Sequence, residues 1–485
     1  MIRILSVAHI MGGIVMLFGL ALLAPMAVSW LQADGALGAY DETLAACLGG
    51  GFVVWALTRR FRRELSSHDG FLLVVMIWVG LPALAMLPLY LQIPGLSITD
   101  AYFEATSGLT ATGATVLSSL DQLPPSLNLW RAILHWIGGL GIIVLAVAIL
   151  PLLGVGGRQL YRAEIPGPFK DTRLTPRITE TAKGFWIIYI VFTIACTLAY
   201  RVFGMDWMDA VIHAFSTMSL GGFSSHDASF GYFNSLALEI VAMAFMLVAG
   251  MSFVTHFSAW KGRSIVPYLR APEVRLFVLI LFSSAFGLSL FLWLNDVYAD
   301  FSTAMRFAFF NTFSVATSLG LVSTDYSTWP VFAPLWMLLL GAFCTCSGSA
   351  GGGIKMIRVL LMAKQMYREV TLLLHPSARV PLKVGGQVVP NQIVFAVLAF
   401  MSFYGLSVLV LVFLLALSGL DLLTALSAAL ACINNTGPGL GQVGPSGTFA
   451  VLSDFQTWVC TLGMLLGRLE VFTLIVVFSP QFWRE

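Results

Sequence analysis

Four short runs in this 485-residue chain carry oxygen-bearing side chains and close on glycine. They read Thr110-Ala111-Thr112-Gly113, Ser219-Leu220-Gly221-Gly222, Thr317-Ser318-Leu319-Gly320 and Asn434-Asn435-Thr436-Gly437. A dehydrated cation needs several partially negative oxygens, and rings of backbone carbonyls supply them without burying a full anion. Glycine suits such turns because it takes positive φ, which lets carbonyls rotate where a β-branched residue would resist. The hydroxyls and amides that open the runs can anchor the turn or add ligands. The chemistry that fits is cation coordination, in a ring that is only pseudo-fourfold because the four runs differ.

The elements that must position these turns repeat with them. Counted back from the glycine, the twelfth residue is always alanine: Ala101, Ala210, Ala308 and Ala425. The sixth is always small: Ser107, Ser216, Ser314 and Ala431. Each copy lies between two apolar runs long enough to cross a bilayer. The segment before the glycine is too short to cross, which predicts a half-helix of roughly twelve residues that stops at mid-membrane. Its partially negative C-terminal end favours a cation. Asp100 and Asp209 are the expected N-caps of the first two copies, with Asp300 and Asp421 standing further upstream in the others. Re-entrant backbone survives at membrane depth only when packed in protein or lining water, so four copies imply a shared wet axis.

Hydrophobic residues form 58% of the chain and charged residues 10%, against roughly 45–50% and 25% in soluble domains. The expected fold is therefore an all-α polytopic membrane protein. Its ten candidate spans are 4–30, 38–58, 69–93, 128–153, 184–204, 234–260, 273–296, 331–361, 391–418 and 450–479. The division is two leading spans (1–66), then pore repeats over 67–178, 179–266, 267–385 and 386–485. The apolar run at the N-terminus is too long for a signal core of about 7–15 residues, which favours a retained span. Basic residues gather in alternate loops, at 59–63, 158–183, 261–275 and 355–383, and with Arg3 and Arg484 near the ends of the chain this leaves only Arg131, Arg201, Arg306 and Arg468 elsewhere. This bias predicts both termini on the cytoplasmic side. The six cysteines sit in or beside apolar runs and read as core residues. No basic tract points to nucleic acid, and no Ser/His/Asp or metal constellation points to an enzyme.

The runs Thr106 to Ala114, Ser219 to Ser224 and Asn434 to Gly441 resemble the filter signatures of the Trk/Ktr/HKT potassium transporters. So do Gly348-Ser349-Ala350-Gly351-Gly352-Gly353-Ile354-Lys355 and Gly467-Arg468-Leu469-Glu470. The resemblance covers essentially the whole chain, and the two leading spans make it most similar to the bacterial Trk membrane subunits. It implies a potassium pathway through the sixteen turn residues, in a homodimer of the bacterial inner membrane. It also implies a cytosolic regulatory subunit with nucleotide-binding RCK domains, and no organic cofactor in this chain. Serine in place of the first filter glycine accompanies sodium transport in that family, so Gly113 implies K⁺, with Rb⁺ as a surrogate. Leu319 is unusually bulky for its place.

Four glycines within 348–353 cannot hold a stable helix at about 1 kcal/mol each, so the span 331–361 is expected to break into a loop under the turns. The resemblance implies an intramembrane gate in this loop, counted through Lys355, and Arg468 is expected to hold it closed and add an electrostatic barrier below the turns. The string lacks the Gly-Lys-Ser/Thr and the preceding strand of a phosphate loop. Arg468 costs at least about 2.5–3.5 kcal/mol inside a span and needs partners, for which the loop's carbonyls or hydroxyls suit better than nearby Glu470. His135, His213 and His256 have no metal spacing and read as packing residues, so no proton relay stands out. Potassium uptake through a channel-like path is the expected function, with K⁺/H⁺ or K⁺/Na⁺ symport on the same scaffold as the alternative.

Overall fold

A computed structural model describes residues 2–63, 66–144 and 175–484 of the chain. Most of the expected basic connection over 158–183, and the end of the span expected to reach residue 153, lie outside these residues. Among the described residues, apart from a two-stranded hairpin, Lys383–Val384 with Gln387–Val388, the regular elements are helices. Gly385 and Gly386 form the hairpin's tight turn at φ 56° and 83°, as a two-residue hairpin turn demands. Five helices are long and apolar enough to cross a membrane among the described residues, and two further pairs qualify as bent spans. Their outward faces leave large apolar side chains such as Leu279, Phe413 and Leu417 exposed, as a lipid solvent requires.

The first helical run occupies Arg3–Gln32 and packs on Leu37–Ala45 and Gly51–Thr58. The two approach through glycine: a Cβ on Gly12 would lie 2.7 Å from the Gly51 carbonyl oxygen, and one on Gly51 2.8 Å from that of Gly12. Small residues let spans meet this closely where lipid offers no hydrophobic drive.

Four half-helices follow the expected places: Ile98–Leu109, Trp207–Ser219, Phe301–Ala316 and Leu422–Ile433. The alanines twelve before each glycine are fully buried, so the repeat marks the packed face of the half-helix. The caps differ from expectation in the first two copies. Ser97 and Asp206 are the caps, accepting from the amides of Asp100 (3.0 Å) and Asp209 (2.7 Å). Asp100 and Asp209 thus sit one turn in, as amide donors to the cap. In the other copies Asp300 and Asp421 are themselves caps, taking the amides of Thr303 and Thr424 at 2.7 and 3.0 Å.

The spans that leave the turns are broken more often than expected. In the third repeat the helix Phe332–Phe343 stops and Met356–Leu374 resumes after the glycine-rich stretch. The second repeat also bends, by 92° between Leu236–Gly250 and Phe253–Gly262, and the fourth by 109° between Asp454–Arg468 and Phe472–Phe478. The spans expected over 234–260 and 450–479 are therefore not continuous. In the second repeat the backbone bonds leave the helix for the third repeat's loop. Gly250 O accepts from Cys346 N at 3.0 Å, and Phe253 N donates to Gly348 O at 2.9 Å. In the fourth, Glu470 and Val471 take φ of 52° and 54°, and Glu470 turns to meet Arg358 at 2.7 Å.

Candidate functional site

All four half-helices end in one hydrogen-bonded closure. Thr112 N reaches Ser107 O at 2.9 Å, Gly221 N Ser216 O at 2.9 Å, Leu319 N Ser314 O at 2.8 Å and Thr436 N Ala431 O at 2.9 Å. This is a Schellman motif, which needs a left-handed residue just before the donor. Ala111, Leu220, Ser318 and Asn435 fill that place at φ 51°, 54°, 61° and 52°. None is glycine, so each stores strain of about 1–3 kcal/mol, as functional turns often do. The next positive-φ residues are the glycines themselves, at 85°, 89°, 82° and 93°. The leading hydroxyls are anchors: Thr110, Ser219 and Thr317 bond back to the carbonyls of Thr106, Phe215 and Phe313 at 2.7–2.8 Å. Asn434 instead accepts from Tyr404 Oη at 2.7 Å.

The turns close into a ring. A Cβ on Gly113 would collide with the carbonyl oxygen of Gly221, one on Gly222 with that of Leu319, and one on Gly320 with that of Thr436. A Cβ on Gly437 would stand 2.9 Å from the carbonyl oxygen of Thr112. Each partner is the residue just before the next repeat's glycine, so the contacts run from repeat one through four and back to one. Asn435 Nδ2 donates to Thr112 Oγ1 at 2.8 Å across the last joint. Gly113, Gly222, Gly320 and Pro438 share one cavity of about 410 Å³. Leu319 fits because its side chain is fully buried in the core while its carbonyl serves the ring.

A buried ion pair braces this ring. Arg131 meets Glu104 at 2.9 Å, with 1% and 0% of the side chains exposed. Glu104 also accepts from Thr115 Oγ1 (2.9 Å) and Val116 N (3.0 Å), just past the first turn. Arg131 donates to Ser224 O at 3.1 Å and lies 4.1 Å over the Phe223 ring, just past the second. Sequence reasoning noted Arg131 only as a basic residue away from the basic loops. The missed signal was a carboxylate inside an apolar half-helix, which demands a cation. Of the other exceptional arginines, Arg306 pairs with Glu239 at 2.7 Å and Arg201 lies 5.5 Å over Trp207.

The glycine-rich stretch lies against the third and fourth turns. Gly352 N donates to Ser318 Oγ at 2.9 Å, and a Cβ there would strike Asn434 O. On Gly351 a Cβ would come within 3.0 Å of Thr317 O, and on Gly353 within 2.5 Å of Ala342 O. Gly348 (φ 69°) faces Ser252, and Ser349 is buried. Lys355 Nζ donates to Gly351 O. Arg468, 1% exposed, donates to Ala350 O at 3.3 Å and Gly138 O at 2.8 Å, and sits 5.6 Å from the Trp78 ring. It thus joins the stretch to the first repeat's inner helix, Pro125–Val144. Glu273, which sequence reasoning passed over, accepts from Ser347 N (2.6 Å) and Ile357 N (3.1 Å) and so clamps both ends of the stretch.

His135 stacks on Phe223 with ring centroids 4.0 Å apart, His213 bonds Asp209 O (2.9 Å) and Ser224 Oγ (3.0 Å), and His256 bonds Val248 O (2.9 Å). His226, not singled out by spacing, ties the first two repeats together at the cavity. Its Nδ1 meets Asp121 and its Nε2 meets Asp209 at 3.0 Å. Partial burial opposes its charge, but the bonds to Asp209 and Asp121 prevail and raise its pKa. Asp121, resisted by desolvation, is lowered by His226.

A protein family described as cation transport protein, TrkH, matches residues 42–485. The Trk system potassium uptake protein TrkH of Escherichia coli strain K12 is 44% identical over 481 residues, covering 99% of each chain. The Trk system potassium uptake protein TrkG of the same organism is 39% identical, covering 99% of this chain and 98% of its own. The crystal structure of the potassium transporter TrkH from Vibrio parahaemolyticus superposes with a TM-score of 0.92 at 42% identity, over 99% of this chain and 100% of that one. The chain is thus a multi-pass helical membrane protein and belongs to the TrkH family of cation transport proteins.

Proposed function

We propose that this chain takes up potassium, passing K⁺ down its electrochemical gradient through the ring of turn carbonyls. The observation that carries this reading is the closed ring itself. Four strained turns, one per repeat, butt glycine against carbonyl and open on one cavity. Backbone carbonyls at the negative ends of four half-helices favour a dehydrated cation. The stretch Gly348–Gly353 is the gate below the ring, held closed by Lys355 and Arg468, whose charge adds a barrier to cations. The chain works as a homodimer in the bacterial inner membrane, with four pore repeats over 67–485, both termini cytoplasmic, and a cytosolic nucleotide-binding RCK subunit that controls opening. These last features rest on family membership and on the basic loops.

The test is ion flux into liposomes holding the purified chain, K⁺ against Na⁺, with and without an imposed pH gradient and, separately, an imposed Na⁺ gradient. Potassium flux that exceeds sodium flux and ignores the pH gradient supports the channel-like path. Flux that follows either the proton or the sodium gradient overturns it in favour of coupled symport.

A further inference from the structure

We propose that the basic end of the two leading helices holds the headgroup of an anionic phospholipid. A cavity of about 550 Å³ opens there between the first helix and the second. Its rim is arginine. Arg63 is committed, donating to both Asp69 oxygens at 2.9 Å and to Ser6 Oγ at 3.2 Å. Arg59 and Arg62 are exposed and make no ion pair among the described residues. Arg59 lies 5.8 Å from the Trp55 ring, which stacks on His9 at 5.6 Å, so its guanidinium is held at the mouth. Guanidinium forks match phosphate oxygens two at a time, and basic pockets between spans at an anionic leaflet take lipid headgroups.

The apolar part of the lining separates a lipid from a free anion. It consists of Ile10, Gly13 and Trp55, and a Cβ on Gly13 would meet nothing within 4 Å. On the same helix as Trp55, Phe52, three residues before it and so on the neighbouring face, is exposed. A phosphate at the arginines therefore has Phe52, Trp55 and Ile10 as apolar surface for its acyl chains. Trp55 stands beside Arg59, as aromatic residues do at membrane interfaces. These helices lie outside the four repeats, so the site is independent of the ion path.

Native mass spectrometry of the full chain tests this, with dioleoyl phosphatidylglycerol, dioleoyl phosphatidylcholine and inorganic phosphate as probes. Phosphatidylglycerol is expected to remain bound where phosphatidylcholine does not, and phosphate at equal concentration should not displace it. Arg59→Gln with Arg62→Gln should weaken retention about 30-fold, the worth of two interfacial charges. Gly13→Leu keeps every charge, fills part of the cavity beside the arginines and should weaken it as well. Equal retention of the two lipids, unchanged binding in the double variant, or full displacement by phosphate would each overturn the proposal. Should the double variant fail to fold, the lipid comparison in the unaltered chain and Gly13→Leu still decide it.

Discussion

Gly113 occupies a backbone position with φ of 85° and touches the carbonyl of Gly221 where any Cβ would go. Serine there must both strain the turn and push the second repeat's carbonyl outward, widening the ring for its preferred ion. Gly113→Ser is expected to lower the K⁺/Na⁺ uptake ratio by about tenfold or more, since 1.4 kcal/mol of lost discrimination suffices. Parallel Rb⁺ and Na⁺ uptake in liposomes reads it, and an unchanged ratio would count against the ring as the filter. The Glu104–Arg131 pair supports the same ring from behind. Glu104→Gln leaves a buried guanidinium without its counter-charge and should cost about 3–5 kcal/mol of stability. Thermal melts of the solubilised protein check this, and adding Arg131→Met should recover part of the loss. At this scale the glycines were legible because one residue type recurs in phase. The left-handed residues before them were not: Ala111, Leu220, Ser318 and Asn435 share a conformation but no chemistry.

The half-helices were legible as elements, and their caps less so. Ser97 and Asp206 cap by accepting an amide three residues on, so the Asp100 and Asp209 carboxylates nearest the apolar run drew attention one turn too late. The break in the third repeat announced itself through four glycines. Those at Met251 and Leu469 did not, because they arise from long-range bonds to the third repeat and from the Glu470–Arg358 pair. Arg468 spans this region, fastening Ala350 to Gly138. Arg468→Ala should free the glycine-rich stretch and raise basal K⁺ flux several-fold. Unchanged flux from a normally folded variant would remove it from the gate. The clasp made by His226 is also an element-scale device. Its raised pKa contributes stability that is complete below the unfolded value near 6.5 and fades as pH climbs through the folded value. The lowered Asp121 contributes above its unfolded value near 3.9 and loses that as pH falls through the folded one. Hydrogen exchange at residues 117–123 and 224–230, corrected for intrinsic rate, should therefore quicken as pH rises beyond about 6.5, and His226→Gln should abolish that dependence.

At the level of the whole molecule, composition and apolar runs suffice to place the chain in lipid, and the phase of four glycines suffices to gather distant segments on one axis. What sequence leaves out is the closure. Which repeat touches which depends on carbonyl directions set by residues such as Leu319, whose side chain points into the core and whose oxygen faces its neighbour. The same chain geometry brings the third repeat's loop beneath the third and fourth turns, a contact between Gly352 and Ser318 that spans 34 residues. The whole account rests on a cation occupying that ring. Diffraction from crystals grown in Rb⁺, collected at its absorption edge, tests this most directly. The account predicts anomalous density on the axis among Thr112, Gly221, Leu319 and Thr436, exchangeable with K⁺ and weakened by Gly113→Ser. Well-ordered crystals with no density inside the ring, or with Rb⁺ bound only elsewhere, would contradict it.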